Sequence, residues 1–292
     1  MDLSWDHWRS FLAVVDEGSL SGAARVLGLT QPTLGRHIAQ METALATGLF
    51  LRSPSGLIAT DVALSLVPQA RAMAAAAATL RRTASGGQGA DTGTVRLAAS
   101  EVVGAEILPP FLAAFAEDHP AIAVELVLSN RNEDLLRHDA DIAVRMQRPT
   151  QTALLARRLG PVPLSLYAHN RYAARRGLPD RLESLTEHAL IGPESLRGLA
   201  GLTLGDRPVT PALFTYRSDS DLAQLALLRA GLGIGICQEL IAARDPALLP
   251  VLPGQVRFTL DAWLLMHEDL RASRRVRLLH NVLAQGLGQI WR

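Results

Sequence analysis

The chain has 292 residues, 48% of them hydrophobic and 20% charged, which excludes a disordered polymer and leaves room for two or three modest domains. Its net charge is only +1, and all 29 basic residues are arginine, so charge alone points to no partner. One cysteine, Cys237, excludes an internal disulfide, no basic-then-apolar leader opens the chain, and no apolar run approaches a membrane span, so a cytoplasmic protein outside the membrane is expected.

The first 60 residues show a helical apolar period three times. Trp8, Phe11, Leu12 and Val15 mark the first helix, and Leu20, Ala23, Ala24 and Leu27 the second. Ser19 or Ser21 can cap that second helix. Leu34, Ile38, Met41 and Leu45 mark a third, entered through "GLT", Gly28 to Thr30. Short helices joined by glycine-containing turns are the sequence form of a helix-turn-helix. Thr30 is placed to cap the third helix, and Pro32 falls in its first turn, where a missing N–H costs nothing. The face opposite the apolar stripe carries Thr33, Arg36, His37 and Gln40. Those residue types reach phosphates and base edges, and they also suit an ordinary solvated helix face.

"DVALSLVPQARAMAAAAATLRRTAS", residues 61–85, predicts one long helix with Pro68 as a kink. Ala63, Leu66, Ala70, Met73, Ala77, Leu80 and Ala84 follow alternating steps of three and four, a heptad seam for a second helix or for the chain's own domain. "SGGQGADTG", residues 85–93, is a break. Strand and helix patterns then alternate: "VRLAAS", a helix over 107–117, "AIAVELVLS", the short helix "NEDLLR" and "ADIAVRM". "VPLSLYAH", residues 162–169, begins a second such unit, with "SDLAQLALLRAGLGIGIC" as helix, turn and strand. "DAWLLMHE" returns to the first unit, and a helix over 271–291 closes it. Apolar strands separated by helices imply parallel sheets covered on both faces.

Residues 11–52 resemble the winged helix-turn-helix of LysR-type transcriptional regulators, through "EGS", "AA..L", "TQPTL.R.I..ME" and "G..LF.R" at matching offsets. The resemblance implies a multidomain chain. An all-α winged helix-turn-helix occupies 1–60, a linker or dimerisation helix 61–85 and a hinge 86–93. An α/β, two-lobed, periplasmic-binding-protein-like effector domain occupies 94–292, with lobe I over 94–161 and 267–292 and lobe II over 162–266. By position it implicates Thr30, Gln31, Pro32, Thr33 and Arg36 in DNA contact; His37 and Gln40 share the polar face, and Arg52 is the basic residue of the wing. Gly35 stands where the family usually has serine, removing a hydroxyl and leaving room for close backbone approach. Residues 1–60 hold four arginines against five acids, so the domain is no basic patch.

Ligands of parallel sheets bind beyond the carboxyl ends of strands. That rule selects Ser100, Glu101 and Val102, then Ser129 and Asn130, then Arg145, with Ser218 and Asp219 from the second lobe. Ser100 equally suits a helix cap, and Arg145 either meets an anionic effector or pairs with an acid such as Asp141. "GLGIG", residues 231–235, follows a helix and precedes a strand, the wrong order for a dinucleotide loop. Cys237 reads as a buried small hydrophobe, and no metal spacing, nucleophile elbow, acid/base pair or cofactor motif is present. The expected protein is a non-enzymatic regulator that binds double-stranded promoter DNA as a homodimer or homotetramer and senses a small molecule, with RNA polymerase a further candidate partner. The competing reading is a cytoplasmic small-molecule-binding or enzymatic α/β protein with a non-functional N-terminal domain.

Overall fold

The computed structural model describes residues 2–54, 56–85, 91–130, 140–149, 154–195, 203–204 and 207–292. Residues 86–90 of the expected hinge, and the helix expected in "NEDLLR", lie outside them. Residues 1–85 form one compact unit, and the described residues from 91 onward belong to a second.

The first unit holds helices α1 (Trp5–Glu17), α2 (Leu20–Leu27) and α3 (Gln31–Leu45), a two-stranded wing of β1 (Phe50–Ser53) and β2 (Gly56–Ala59), and α4 (Asp61–Ser85). Ser19, rather than Ser21, caps α2 by accepting from Gly22 N. Phe11, Val14, Ala23, Leu34, Met41 and Leu49 are fully buried together. The wing is tied to the α1–α2 turn, where Leu57 N donates to Gly18 O at 2.6 Å. Gly56 is required beside it, because a Cβ would collide with the Gly18 carbonyl. Glu42, the acid of the "ME" pair, accepts from Leu49 N at 2.8 Å and so fixes the entry to β1.

In its first turns α4 follows the own-domain reading of the seam. Ala63 and Ala70 are 0% and 1% exposed in the unit's own core, with Leu66 packed beside them. The helix begins against its own domain because alanine permits close approach there. Val62, Met73 and Leu80 stay exposed.

The second unit is built on a seven-stranded sheet with α/β layers. β3 (Gly93–Ala99), α5 (Pro109–Asp118), β4 (Ile122–Leu128) and β5 (Ile142–Arg145) make the first lobe, with β3 parallel to both β4 and β5. β6 (Leu154–His169) runs out into the second lobe. There follow α6 (Asn170–Arg176), β7 (Ile191–Gly192), β8 (Thr203–Leu204), β9 (Arg207–Pro208), β10 (Tyr216–Arg217), α7 (Asp221–Arg229), β11 (Ile234–Gln238), α8 (Glu239–Ala242) and β12 (Leu248–Val251). β13 (Arg257–His267) runs back antiparallel along β6, and α9 (Arg274–Ile290) covers the first lobe.

Two expectations change here. The sheet is mixed, since β6 and β13 are antiparallel to their neighbours. The return to the first lobe begins at Trp263, opposite Arg145 of β5, within the expected "DAWLLMHE" but four residues before the boundary at 267. The crossing point is irregular between Ala262 and Trp263, with Gly160 facing Ala262 on β6. The Trp291 carbonyl occupies the place of a Gly160 Cβ, so only glycine lets α9 close on the crossing. No helix among the described residues is long and apolar enough to cross a membrane.

Candidate functional site

Two places gather the predicted residues, one in each unit. In the first, Thr30 caps α3, its hydroxyl accepting from Thr33 N at 3.3 Å and lying 2.8 Å from the Thr33 hydroxyl. Leu34, Ile38 and Met41 are buried and lock the helix to its core. Gln31, Pro32 and Arg36 are exposed, with Thr33 and Gly35 partly so. The Arg36 and Arg52 side chains are exposed, and neither makes a hydrogen bond or ion pair among the described residues.

His37 and Gln40 are only partly exposed and are also tied to α1, a contact that the outward face read in the sequence did not include. His37 Nδ1 lies 2.7 Å from Ser10 Oγ, and Gln40 Oε1 lies 2.9 Å from His7 Nε2, both partners on α1. The two imidazoles stand 5.1 Å apart. Burial, then His7 and Arg36, push His37 below its ordinary value, with Asp6 opposing. His37 is therefore a weak source of positive charge for a phosphate at neutral pH.

Gly35 is half-buried toward α2, where a Cβ would meet only the Leu20 methyl at 3.8 Å. A side chain fits without displacement. Gly35→Ser is expected to stabilise the unit by about 0.5 kcal/mol in thermal melting and to change duplex affinity. Melting and binding both equal to the parent chain would show that the helix is wrongly oriented.

In the second unit, the register of β3 with β4 and β5 sets Ser100, Ser129 and Arg145 side by side at one sheet end. Ser129 N donates to Ala99 O at 2.9 Å, and Arg145 Nη1 donates to Ser129 O at 2.8 Å. Arg145 is 3% exposed, so it braces these strand ends from inside rather than standing on an open wall. Asp141, named as its alternative partner, accepts from Arg96 N at 2.8 Å. The Ser100 hydroxyl oxygen is buried with no hydrogen-bond partner among the described residues, an unmet need of a kind proteins rarely leave. Val102 packs on the core.

Glu101 and Asn130 reach the other lobe. Ser220, the cap of α7, donates to Glu101 Oε2 at 2.7 Å, and Leu222 N approaches the same oxygen at 3.3 Å. Asn130 accepts from Glu101 N at 3.1 Å and donates to Asp221 at 3.0 Å. Ser218 and Asp219 shape the turn into α7: Ser218 Oγ accepts from Ser220 N at 3.2 Å, and Asp219 accepts from Ser195 N at 2.8 Å. Sequence reasoning missed Ser220, Asp221, Glu106 and Arg229. Arg229 grips Glu106 across the lobes with two hydrogen bonds of 2.7 and 2.8 Å. Loss of hydration raises the Asp221 carboxyl, the Glu101 charge adds to it, the Asn130 hydrogen bond opposes, and Asp219 adds a little more. An anion entering here would meet the Glu101, Asp219 and Asp221 carboxyls.

Glu106 is shifted the other way, chiefly by the Arg229 hydrogen bonds. A carboxyl lowered in the folded state stabilises above its ordinary value of 4.5, and that contribution is lost as pH falls through the folded value. Glu106→Gln is expected to cost about 1 kcal/mol at neutral pH, discounted for solvent exposure, and progressively less as pH falls below 4.5. A melting difference independent of pH would contradict the pair. The raised Asp221 carries the opposite sign, its ionisation opposing folding as pH rises. Burial pushes the Cys237 thiol up to about 11, so it is a core residue with little thiolate at neutral pH.

A capped helix-turn-helix with an exposed polar face on its third helix, followed by a two-lobed α/β domain with a hydrogen-bonded cleft, defines a one-chain transcriptional regulator with a sensing domain. Residues 5–64 match the family described as bacterial regulatory helix-turn-helix protein, lysR family, and residues 88–288 match the LysR substrate binding domain. The chain belongs to the LysR family of transcriptional regulators. It is 26% identical over 287 residues to the HTH-type transcriptional regulator CrgA of Neisseria meningitidis serogroup C (strain 8013), covering 95% of each chain. Its fold is similar to that of full-length CbnR, a LysR family regulator, with a TM-score of 0.66, 19% identity and coverage of 97% and 99%. It is also similar to that of AphB, the Vibrio cholerae virulence activator, with a TM-score of 0.64, 21% identity and coverage of 98% and 99%. CbnR is also known in complex with its target DNA, and that structure matches with a TM-score of 0.65. The family match over residues 5–64 displaces the reading of a non-functional N-terminal domain.

Proposed function

We propose that this regulator reads two half-sites of promoter DNA with paired α3 helices and adjusts its grip when a small molecule enters the cleft between its lobes. The supporting observation is the division of α3. Leu34, Ile38 and Met41 are fixed in the core, while Gln31, Pro32 and Arg36 stand exposed around a capped, N–H-rich helix mouth. Thr33 and Arg52 extend that surface. The exposed Val62, Met73 and Leu80 supply the α4 surface for pairing two chains, as dimer or dimer of dimers.

The effector site combines Ser100, whose hydroxyl lacks a partner, with Glu101, Asn130 and the mouth of α7. Ser129, Arg145, Ser218 and Asp219 hold those groups in place. An effector acts by binding one arrangement of the lobes better than another, which requires it to replace or reinforce the Glu101–Ser220 and Asn130–Asp221 contacts. RNA polymerase is the partner through which such a change would reach transcription.

Titrating the DNA-bound chain with a panel of metabolites tests this reading. One compound should shift duplex affinity by about 5- to 150-fold, the usual range of coupling, and lose its effect in Ser100→Ala. A shift that persists undiminished in Ser100→Ala and Asn130→Ala would place the effector elsewhere.

A further inference from the structure

The geometry points to His7 as a positioning residue that holds the Gln40 amide with its NH2 turned outward as a donor toward DNA, an inference that rests on α3 being the reading helix. The argument begins at a backbone group. Ser4 N–H can only donate, and it lies 3.1 Å from His7 Nδ1, with the Ser4 hydroxyl 2.8 Å from the same nitrogen. His7 Nδ1 therefore accepts, and the ring proton sits on Nε2. Nε2 is 2.9 Å from Gln40 Oε1, so it donates to the carbonyl of the Gln40 amide. That fixes which way the amide faces: its oxygen is turned to α1 and its NH2 is turned away. His7 is only 8% exposed, so the ring is held in the core. Gln40 Nε2 has no partner among the described residues and is not buried.

Gln40 follows Arg36 by one helical turn and shares its face. A free glutamine reads adenine with both ends of its amide, accepting from N6–H2 and donating to N7. Gln40 has one oxygen lone pair taken by His7 and that oxygen turned to α1, so the end it presents outward is the donating one. The partner this orientation favours is an acceptor: guanine O6 or N7, thymine O4, or a phosphate oxygen. The bidentate adenine contact is disfavoured by a residue that touches no DNA, because the oxygen it needs is turned to α1.

Selection of binding sequences from a randomised duplex pool by the full-length chain separates these partners. Arg36→Ala serves as the control for α3, and thermal melting as the control for folding. For a base contact, the parent chain selects guanine or thymine at one position per half-site. Gln40→Ala erases that preference and weakens binding about three- to tenfold, the worth of one hydrogen bond. Gln40→Glu, an acceptor only, moves the preference to cytosine or adenine. For a phosphate contact, Gln40→Ala and Gln40→Glu weaken all sequences alike and leave the selected bases unchanged. For a base contact, His7→Phe, which keeps a ring in the core but removes the proton, makes adenine acceptable opposite Gln40.

Two results overturn the inference. One is a parent preference for adenine that disappears in Gln40→Ala. The other is Gln40→Ala binding within twofold of the parent, with the same selected sequences, while Arg36→Ala binds about tenfold or more weakly. Undiminished binding by Arg36→Ala as well would instead remove α3 as the reading helix.

Discussion

Arg36→Ala in the full-length chain should weaken binding to a selected duplex by about 10- to 100-fold while leaving both units folded. The side chain is exposed and carries no hydrogen bond or ion pair among the described residues, so its removal costs the fold nothing. One arginine contact to guanine or phosphate is worth roughly 1–3 kcal/mol. A dimer loses it twice, and the salt dependence of binding should flatten by about one ion per contact. Competition binding at two salt concentrations reads both effects. The domain's low charge makes the prediction sharper: with four arginines against five acids in residues 1–60, few other cations can compensate. Equal affinity in the variant would remove Arg36 from the interface.

Phe11→Ala should destroy the same activity by a different route. Phe11 is 0% exposed, with its ring 6.2 Å from Trp8 and 5.8 Å from Phe50, so it joins α1 to the base of the wing. Truncating such a ring costs about 3–5 kcal/mol, against a total of about 5–15 for a domain. The helix-turn-helix unit should lose its melting transition or shift far down, and duplex binding should vanish. The second unit, with its own core of Val95, Leu97, Ile142 and Leu264, should melt as before. A Phe11→Ala chain that still binds DNA with parent affinity would contradict the packing described for α1.

The two variants separate what the sequence could reveal from what it could not. The three apolar stripes and the Thr30 cap are local signals, carried by residues three or four apart, and they are legible without a structure. The fate of His37 and Gln40 is not, because a helical wheel gives an angle and no partner. Their partners, Ser10 and His7, lie 27 and 33 residues away. Glu42 looked like part of a DNA-binding motif, yet its carboxylate serves the backbone of Leu49. The heptad seam of α4 was visible as spacing, but spacing cannot say that Ala63 and Ala70 face their own core.

The effector domain shows the same division. The strand-end rule finds Ser100, Ser129 and Arg145 because parallel register brings successive strand ends together. It cannot find Glu106 and Arg229, which are 123 residues apart and meet only once the lobes face each other. The first half of β6 was also missed. Arg157, Arg158, Gly160, Pro161 and Pro163 interrupt its apolar pattern, although β13 pairs with it from Leu154 to Ser165. Antiparallel pairing with a long partner overrides weak strand propensity there.

The most direct test of the whole reading is a footprint of the full-length chain on a duplex selected from a random pool at low salt. Two protected half-sites, one helical turn of about 10 base pairs or a multiple of it apart, are expected, both lost in Arg36→Ala. A folded chain that protects no duplex at low salt, or an Arg36→Ala footprint identical to the parent's, would contradict it.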